Sequence, residues 1–309
     1  MSRASRLPLS NEKALVYTVI SAACWGLTIP MNKLALNYIP PLHLLVIQLA
    51  SSITFLWITA YFFNSYSLLN WQTIKYSITG ILEPGLAYMF SLLGLVMTTA
   101  SNASLINATE PIIIILMSCV FLKEKFNKGL LSLILVAFIG MFLIVGKDLI
   151  LLKFNEYNFL GDLLIFGGEI CASIYNVLSH NIVKKNKNIY PLVLVTVQQT
   201  VGLICITLIC HIGILGHESA NLSTVSLEIW ILAIASGIMQ YALAFWFYLS
   251  ALREVAASTA ALCLTLIPVF GIGGAYVFLH EQLTFWQWLG AILIVTAVSS
   301  ISWQQSQSA

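Results

Sequence analysis

Long runs of apolar residues fill most of the chain, and short groups of charged or turn-forming residues interrupt them. The clearest interruptions are Pro40-Pro41, Lys123-Glu124-Lys125 and the lysine-rich segment 184–187. A helix crosses a bilayer with about 20 mostly apolar residues, and each run supplies that length. The pattern predicts an all-α integral membrane protein with ten transmembrane helices, over residues 14–37, 41–63, 72–97, 99–122, 128–146, 159–183, 190–212, 228–251, 255–279 and 284–303.

The composition agrees with this pattern and excludes several other classes of protein. Of the 309 residues, 59% are hydrophobic and only 8% are charged, whereas soluble proteins average about 45–50% apolar and about 25% charged residues. The net charge of +2 supplies no basic surface for a nucleic acid. The sequence lacks the motifs of ATPases, hydrolases and metal sites, so we predict no enzymatic activity, no cofactor and no metal.

The positions of the basic residues predict how the chain is oriented. If the N terminus is cytoplasmic, eleven of the 14 Lys and Arg residues lie on the inner side, and only Lys33, Lys147 and Lys153 lie outside. Cytoplasmic segments of membrane proteins carry an excess of basic residues. We therefore predict a multi-pass protein of the cell inner (plasma) membrane with both termini in the cytoplasm.

The two halves of the chain align without a gap across their third and fourth helices. At an offset of 157 residues, Pro111 matches Pro268 and Glu124 matches Glu281. Two unrelated apolar stretches would share Leu and Ile, but a shared register of Pro and Glu indicates a repeat. We predict two five-helix units, over residues 14–146 and 159–303.

An odd number of helices per unit means that the second unit enters the membrane from the opposite side. The segment 121–125 carries two lysines, while its copy 278–282 carries none. This difference is expected if the first segment faces the cytoplasm and the second faces out. Inverted repeats are typical of secondary transporters that work by alternating access, with the substrate site near the membrane midplane.

The repeat resembles a known family of transporters. A proline in the fourth helix, an ending of the form (F/L)-L-x-E-x and a short fifth helix are similar to the EamA-type repeat of the drug/metabolite transporter superfamily. Trp25-Gly26, the segment 174–177 and Leu283-Thr284 with Gly290 also fit its pattern. The resemblance implies a transporter of small organic metabolites. Members of the family move amino acids, sugars, nucleotide-linked compounds, vitamins and amines, often outward.

Three carboxylates are predicted near the middle of the membrane: Glu83, Glu110 and Glu169. Each lies about ten or eleven residues into its helix, roughly 15–17 Å deep in a core about 30 Å thick. A charged side chain at that depth costs about 2.5–3.5 kcal/mol, so such residues usually serve function. We predict that they bind substrate or a coupling proton, although each could instead be held protonated by its neighbours.

Prolines follow two of these carboxylates, and a third occupies the matching place in the second half. Pro84, Pro111 and Pro268 are predicted to kink their helices, and the first two would free the carbonyls of Gly80 and Asn107. A freed carbonyl beside a carboxylate is a plausible site for a cation or an ammonium group. The alternative is that each proline only adjusts helix packing.

Further polar and aromatic side chains within the predicted helices complete the candidate site. The polar residues of the fourth helix have apolar counterparts in the ninth, where Leu264 matches Asn107 and Ile267 matches Glu110. Substrate contact explains this asymmetry better than folding does. The candidates for substrate binding, besides the three carboxylates, are Asn107, Trp25, Tyr88, Tyr175, Gln240 and Trp246.

These observations predict a secondary active transporter, an exporter or permease, for amino acids or other amino-bearing or cationic solutes. Two alternatives remain open: proton-coupled uptake of a metabolite by the same fold, and a non-transporting membrane subunit. The expected partners are a small-molecule substrate and the lipid bilayer, with protons as the candidate coupling ion. Nucleic acid is not an expected partner, and the chain is expected to be a monomer or a homodimer.

Overall fold

A computed structural model describes residues 11–97, 106–107, 109–123, 128–145, 156–211, 222, 225–279 and 284–307. All regular structure in these residues is helical, which confirms the prediction of an all-α membrane protein. The α-helices are α1 (Asn11–Ala35), α2 (Pro41–Phe62), α3 (Trp71–Tyr76), α4 (Ala87–Met97), α5 (Glu110–Leu122), α6 (Lys128–Val145), α7 (Glu156–Lys185), α8 (Pro191–His211), α9 (Leu227–Gly237), α10 (Ala244–Leu252), α11 (Ala257–Leu264), α12 (Ile267–Leu279) and α13 (Phe285–Gln307).

Six helical segments in the described part of the chain are long and apolar enough to cross a membrane. They are Asn11–Ala35, Pro41–Phe62, Phe159–Lys185, Pro191–Ile209, Leu227–Leu252 and Ala257–Gly274. Shorter apolar helices cover Glu110–Leu122, Leu131–Gly140 and Phe285–Ser300. All of these segments fall within or overlap the ten predicted helices.

The third and eighth predicted helices each contain a π-helical segment. It covers Leu82–Leu86 between α3 and α4, and Ile238–Leu243 between α9 and α10. The two segments correspond at the offset of 157 residues that aligns the sequence. In the first, Glu83 has an extended backbone with φ −144° and ψ 127°, so the predicted third helix is two helices that meet at this residue. Such local departures from α-helix are frequent at functional sites.

The structure refines the predicted effect of two prolines. Pro111 lies in the first turn of α5, and Pro268 lies in the first turn of α12. The first turn of a helix has no internal partner for its N–H groups, so proline is favoured there. Each proline is therefore the second residue of its helix, at the point where the sequence predicted a kink. Pro84 lies within the π-helical segment of the first half.

Helices of each half pack against helices of the other half. From the first half, α1 packs against α10 and α12 of the second half, while α7 of the second half packs against α4 and α5 of the first. Glycines allow the closest of these approaches: a Cβ on Gly26 would lie 2.5 Å from the carbonyl oxygen of Ile267. A Cβ on Gly94 would likewise lie 2.5 Å from that of Gly161. Neither half forms the interior alone.

The predicted third and eighth helices, which contain the π-helical segments, each pack against a helix of the other half. These packing helices are α8 and α2, respectively. Both begin with a proline, and Gln48 and Gln198 each lie eight residues along them. A Cβ on Gly237 would lie 2.6 Å from both the Cα and the carbonyl oxygen of Gln48. Gly80, which matches Gly237 at the 157-residue offset, contacts the backbone of Gln198 just as closely. Since glycine has no side chain, the backbones meet directly at these two points.

Candidate functional site

The three carboxylates predicted from the sequence come together in the interior. Glu83 lies in the π-helical segment and Glu169 lies on α7, each with 7% of its surface exposed, and Glu110 begins α5 and is partly buried. All three are near enough to interact electrostatically with one another. We call Glu83, Glu110 and Glu169 the carboxyl cluster. It draws residues from both halves of the chain.

An amide from α7 contacts this cluster directly. Asn176 donates a hydrogen bond from Nδ2 to Oε1 of Glu110 at 3.2 Å, and a second from Nδ2 to the carbonyl oxygen of Ala172 at 2.9 Å. The sequence placed Asn176 within the sixth predicted helix, among the amide groups that could complete the cavity. Its contact with Glu110 ties the first turn of α5 to the second half of the chain.

Aromatic rings line the interior beside the carboxyl cluster. Phe245 is central, with ring centroids 5.1 Å from Trp25, 5.9 Å from Tyr175 and 6.4 Å from Tyr241. The ring of Tyr248 lies 5.5 Å from Trp25. The aromatic cluster comprises Trp25, Tyr88, Tyr175, Tyr241, Phe245 and Tyr248.

Half of this aromatic cluster was predicted from the sequence and half was not. Trp25, Tyr88 and Tyr175 were candidates, and Tyr88 packs edge-on against Tyr241 at 5.0 Å. Tyr241 and Tyr248 were missed, although both are at most 2% exposed. A buried hydroxyl in a membrane helix is a signal of function in itself, but their positions match Pro84 and Ser91 of the first half, so the repeat comparison did not identify them.

Amide side chains form two similar hydrogen-bonded groups on either side of the interior. In one, Gln198 Nε2 donates to Thr79 Oγ1 at 2.7 Å, and Gln198 Oε1 accepts from the Tyr175 hydroxyl at 3.1 Å. In the other, Gln48 Nε2 donates to Ser236 Oγ at 2.7 Å. Thr79 and Ser236 match at the 157-residue offset, so each glutamine holds the equivalent turn of the opposite half. We call these contacts the Gln198 clasp and the Gln48 clasp.

The Gln48 clasp also reaches a residue predicted for the site. Asn32 Oδ1 accepts from Gln48 Nε2, and Asn32 Nδ2 donates to Gln240 Oε1, both at 2.7 Å. Gln240 interacts in turn with the hydroxyl of Tyr88. Asn32 and Gln48 were not identified from the sequence, because only the folded arrangement shows that their helices meet here.

Trp246 and Asn107, which were also predicted for the site, have surroundings different from those of the carboxyl cluster. The indole of Trp246 stacks on Phe247 at 5.8 Å and lies 6.3 Å from Phe63, whose side chain is 67% exposed. It follows Phe245 in sequence, and one residue turns an α-helix by about 100°, so the two rings face different directions. Asn107 is exposed ahead of α5.

Basic side chains in the described part of the chain lie away from the interior. Arg253 is partly exposed and donates from Nη2 to the carbonyl oxygen of Lys187 at 2.5 Å. The lysines that the structure describes are all exposed: Lys13, Lys33, Lys75, Lys123, Lys128, Lys184, Lys185 and Lys187. Nor do the described residues contain a group of three or more His, Cys, Asp or Glu side chains placed to hold a metal ion. The described interior is thus lined by acidic and aromatic side chains.

Comparisons with known proteins agree with this architecture. The chain is 24% identical to the uncharacterized transporter YyaM of Bacillus subtilis (strain 168), over 76% of this chain and 75% of YyaM. It is also 24% identical to an uncharacterized transporter of Archaeoglobus fulgidus, over 96% of this chain and 100% of that one. One solved crystal structure shares the fold with a TM-score of 0.78 at 18% identity, covering 96% of this chain and 99% of the other.

The family assignment rests on a match that spans both halves. The model of the EamA-like transporter family matches residues 12–146 and again residues 159–303. Together with the helical membrane fold, this match identifies a multi-pass membrane transporter, for which the partners are a small-molecule substrate and the bilayer. The chain belongs to the EamA-like transporter family.

Proposed function

We propose that this protein is a secondary active transporter that moves small amino-bearing or cationic metabolites, amino acids and amines above all, across the plasma membrane. The two halves, residues 14–146 and 159–303, would act as inverted repeats that give the substrate access to each side in turn. Both termini would lie in the cytoplasm. The observation that carries this proposal is the carboxyl cluster, to which both halves contribute.

The electrostatics of the interior favour a cation. Glu83, Glu110 and Glu169 repel one another when ionised, whereas the described lysines are all exposed. Charge buried in an apolar medium is strongly unfavourable unless it is paired. A bound ammonium group would pair with the cluster and remove part of that penalty, so the site should bind cations in preference to anions.

The packing of the helices supports alternating access. Because α1 packs against α10 and α12 while α7 packs against α4 and α5, a rotation of one half relative to the other would change both contact sets together. Under the predicted topology, Gln48 lies roughly 12 Å from the outer end of its helix and Gln198 a similar distance from the inner end of its own. The two clasps would then lie on opposite sides of the substrate.

Proton-coupled uptake is the second candidate, and the mutual repulsion of the three carboxylates favours it. When like charges lie close together, one of them takes up a proton readily. A proton held in the carboxyl cluster could then exchange for the substrate during transport, and the substrate itself would need no positive charge. The direction of transport would follow the proton gradient.

Reconstitution tests both candidates. The purified protein is placed in liposomes, and counterflow is measured with radiolabelled amino acids, amines and sugars, with and without a pH gradient. We expect counterflow of at least one amino-bearing solute and none of sugars. A pH gradient that drives net accumulation would favour proton coupling. Absence of flux for every solute, from protein that remains monodisperse and thermally stable, would contradict the proposed function.

A further inference from the structure

Four buried polar atoms near the carboxyl cluster have no hydrogen-bond partner among the described residues. They are Trp25 Nε1, Ser173 Oγ, Asn176 Oδ1 and Tyr248 Oη. Ser173, Asn176 and Tyr248 are each at most 4% exposed. Buried polar groups in folded proteins are nearly always hydrogen-bonded, so a group of unpaired ones in one place calls for an explanation.

These four atoms belong to one region. Asn176 is hydrogen-bonded to Glu110, and Ser173 lies one helical turn before Asn176 on the same face of α7. Tyr248 interacts electrostatically with Glu110 and with Tyr175, and its ring contacts Trp25 at 5.5 Å. The residues that carry these atoms are therefore linked to Glu110 directly or through one neighbour, and α1, α7 and α10 each contribute at least one.

The free atom of Asn176 can only accept a hydrogen bond. Its Nδ2 group uses both hydrogens, one toward Glu110 Oε1 and one toward the carbonyl oxygen of Ala172. The opposite orientation of the amide would place Oδ1 against the Ala172 oxygen, which is also an acceptor. Asn176 Oδ1 and the Glu110 carboxylate thus form an acceptor pair that matches an ammonium group.

The free atoms of Trp25 and Tyr248 have the complementary chemistry. The indole N–H of Trp25 is only a donor, and the Tyr248 hydroxyl can donate as well. Beside them, the ring of Phe245 packs edge-on against Trp25 and Tyr175. A ligand held here would place an oxygen acceptor near the two donors and an apolar group against the rings.

We infer that the region around Glu110 recognises a solute in which an ammonium group and an oxygen acceptor lie on neighbouring carbons, with an apolar remainder. The ammonium group would bind Glu110 and Asn176, the oxygen would bind Trp25 and Tyr248, and Ser173 would assist either contact. The oxygen is that of a carboxylate or of an uncharged amide. This inference rests on the proposed transport function and assigns recognition roles to Ser173, Asn176 and Tyr248.

Three probes that share the same apolar group and ammonium group test the inference. Leucine carries a carboxylate, leucinamide carries an uncharged amide, and 3-methylbutylamine has the same apolar group and ammonium but no oxygen. Each is added to the purified full-length protein, and its affinity is measured from the ligand-dependent rise in melting temperature. We expect leucine or leucinamide to bind at least about tenfold more tightly than the amine, since a lost hydrogen bond leaves the donors unpaired. The stronger of the two identifies the acceptor.

Two conservative variants locate the donors. Tyr248→Phe removes only the hydroxyl, and Trp25→Phe removes the indole N–H together with its pyrrole ring. Both should weaken the oxygen-bearing probe by roughly tenfold and the amine to a smaller extent. The matched controls are Trp57→Phe and Tyr38→Phe, at positions that are 36% and 61% exposed. In the absence of any probe, Tyr248→Phe should melt at the same or a higher temperature, because it removes an unpaired buried hydroxyl.

The outcomes separate this inference from the proposed function. Equal affinity for all three probes, or unchanged binding in both Trp25→Phe and Tyr248→Phe, would overturn the recognition scheme while counterflow of amines continued. A lower melting temperature of ligand-free Tyr248→Phe would also overturn it, because the hydroxyl would then be structural. Loss of all counterflow in the unaltered protein would contradict the transport function instead.

Discussion

Asn176 and Glu110 form a hydrogen bond of 3.2 Å between the two halves of the chain, next to the carboxyl cluster. One partner begins α5 of the first half and the other lies on α7 of the second. A ligand that engages Glu110 therefore acts on both halves at once. That coupling is what a transporter needs if substrate binding is to change the relative position of its halves.

Replacing Glu110 by Gln should reduce counterflow of an amino-bearing solute to below about a tenth of the normal rate, or remove its pH dependence. Glutamine keeps the shape and an oxygen for Asn176 but removes the negative charge that would pair with an ammonium group or take up a proton. Rates are measured in proteoliposomes at equal protein content. Glu228→Gln, at an exposed position, is the control. Normal kinetics and pH dependence in Glu110→Gln would show that the carboxylate has a structural role only.

Alanine at Gly80 or Gly237 should destabilise the protein by about 1–3 kcal/mol or more. A Cβ at Gly237 would lie 2.6 Å from the Gln48 backbone, and one at Gly80 would overlap the Gln198 carbonyl. Backbone atoms cannot move aside as a flexible side chain can. Gly273→Ala is the control, because a Cβ there would meet nothing within 4 Å. The melting temperature in detergent is the measurement, and equal values for all three variants would refute the direct backbone contact.

Releasing the two clasps separately should shift the protein toward opposite states. Gln48→Leu removes the bonds to Ser236 and Asn32, and Gln198→Leu removes those to Thr79 and Tyr175. Under the predicted topology, the first variant should favour the outward-open state and the second the inward-open state. Each change in population requires only a differential free energy of a few kcal/mol.

The measurement is the reactivity of one cysteine that replaces Phe245, in the centre of the aromatic cluster, in a protein without native cysteines. A membrane-impermeant maleimide added outside should react faster in the Gln48→Leu protein and slower in the Gln198→Leu protein than in the parent. A shift in the same direction for both variants would be inconsistent with alternating access through these clasps.

Matching loops of the two halves should lie on opposite sides of the membrane. Leu69 and Ser226 correspond at the 157-residue offset and are both exposed. In a protein without native cysteines, Ser226→Cys should react with an impermeant maleimide in intact cells. Leu69→Cys should react only after the cells are permeabilised. Labelling of both positions from the same side would rule out the inverted arrangement and the predicted orientation together.

Much of the candidate site was predicted from the sequence, because charge is rare in membrane helices. Glu83, Glu110 and Glu169 stood out by their depth alone, and the structure brings all three together. Gln240, which matches Glu83 at the 157-residue offset, was a candidate as well, and it joins a buried network. A polar residue at membrane depth is recognisable from its own position in the sequence, so these candidates could be found without knowing which helices are in contact.

Tyr241, Tyr248 and Gln48 show what such reasoning leaves open. The sequence gave no signal for Tyr241 and Tyr248, which join the aromatic cluster. Which residues of a helix converge depends on its rotation and on its neighbours. In a soluble protein an apolar stripe reveals that rotation. A membrane helix is apolar on its lipid side and on much of its packed side, so the stripe is weak.

The sequence by itself determined the class of this protein. Apolar runs of spanning length, scarce charge and a 157-residue repeat with Pro111 and Pro268 in register predict a helical membrane transporter, since lipid tolerates little else. Only the tertiary structure decided which polar groups meet. Gln48 forms a hydrogen bond with Ser236, and Asn176 forms one with Glu110. Hydrophobicity alone allows several rotations of each membrane helix about its axis. Close packing and directional hydrogen bonds between residues far apart in the sequence select one of these rotations.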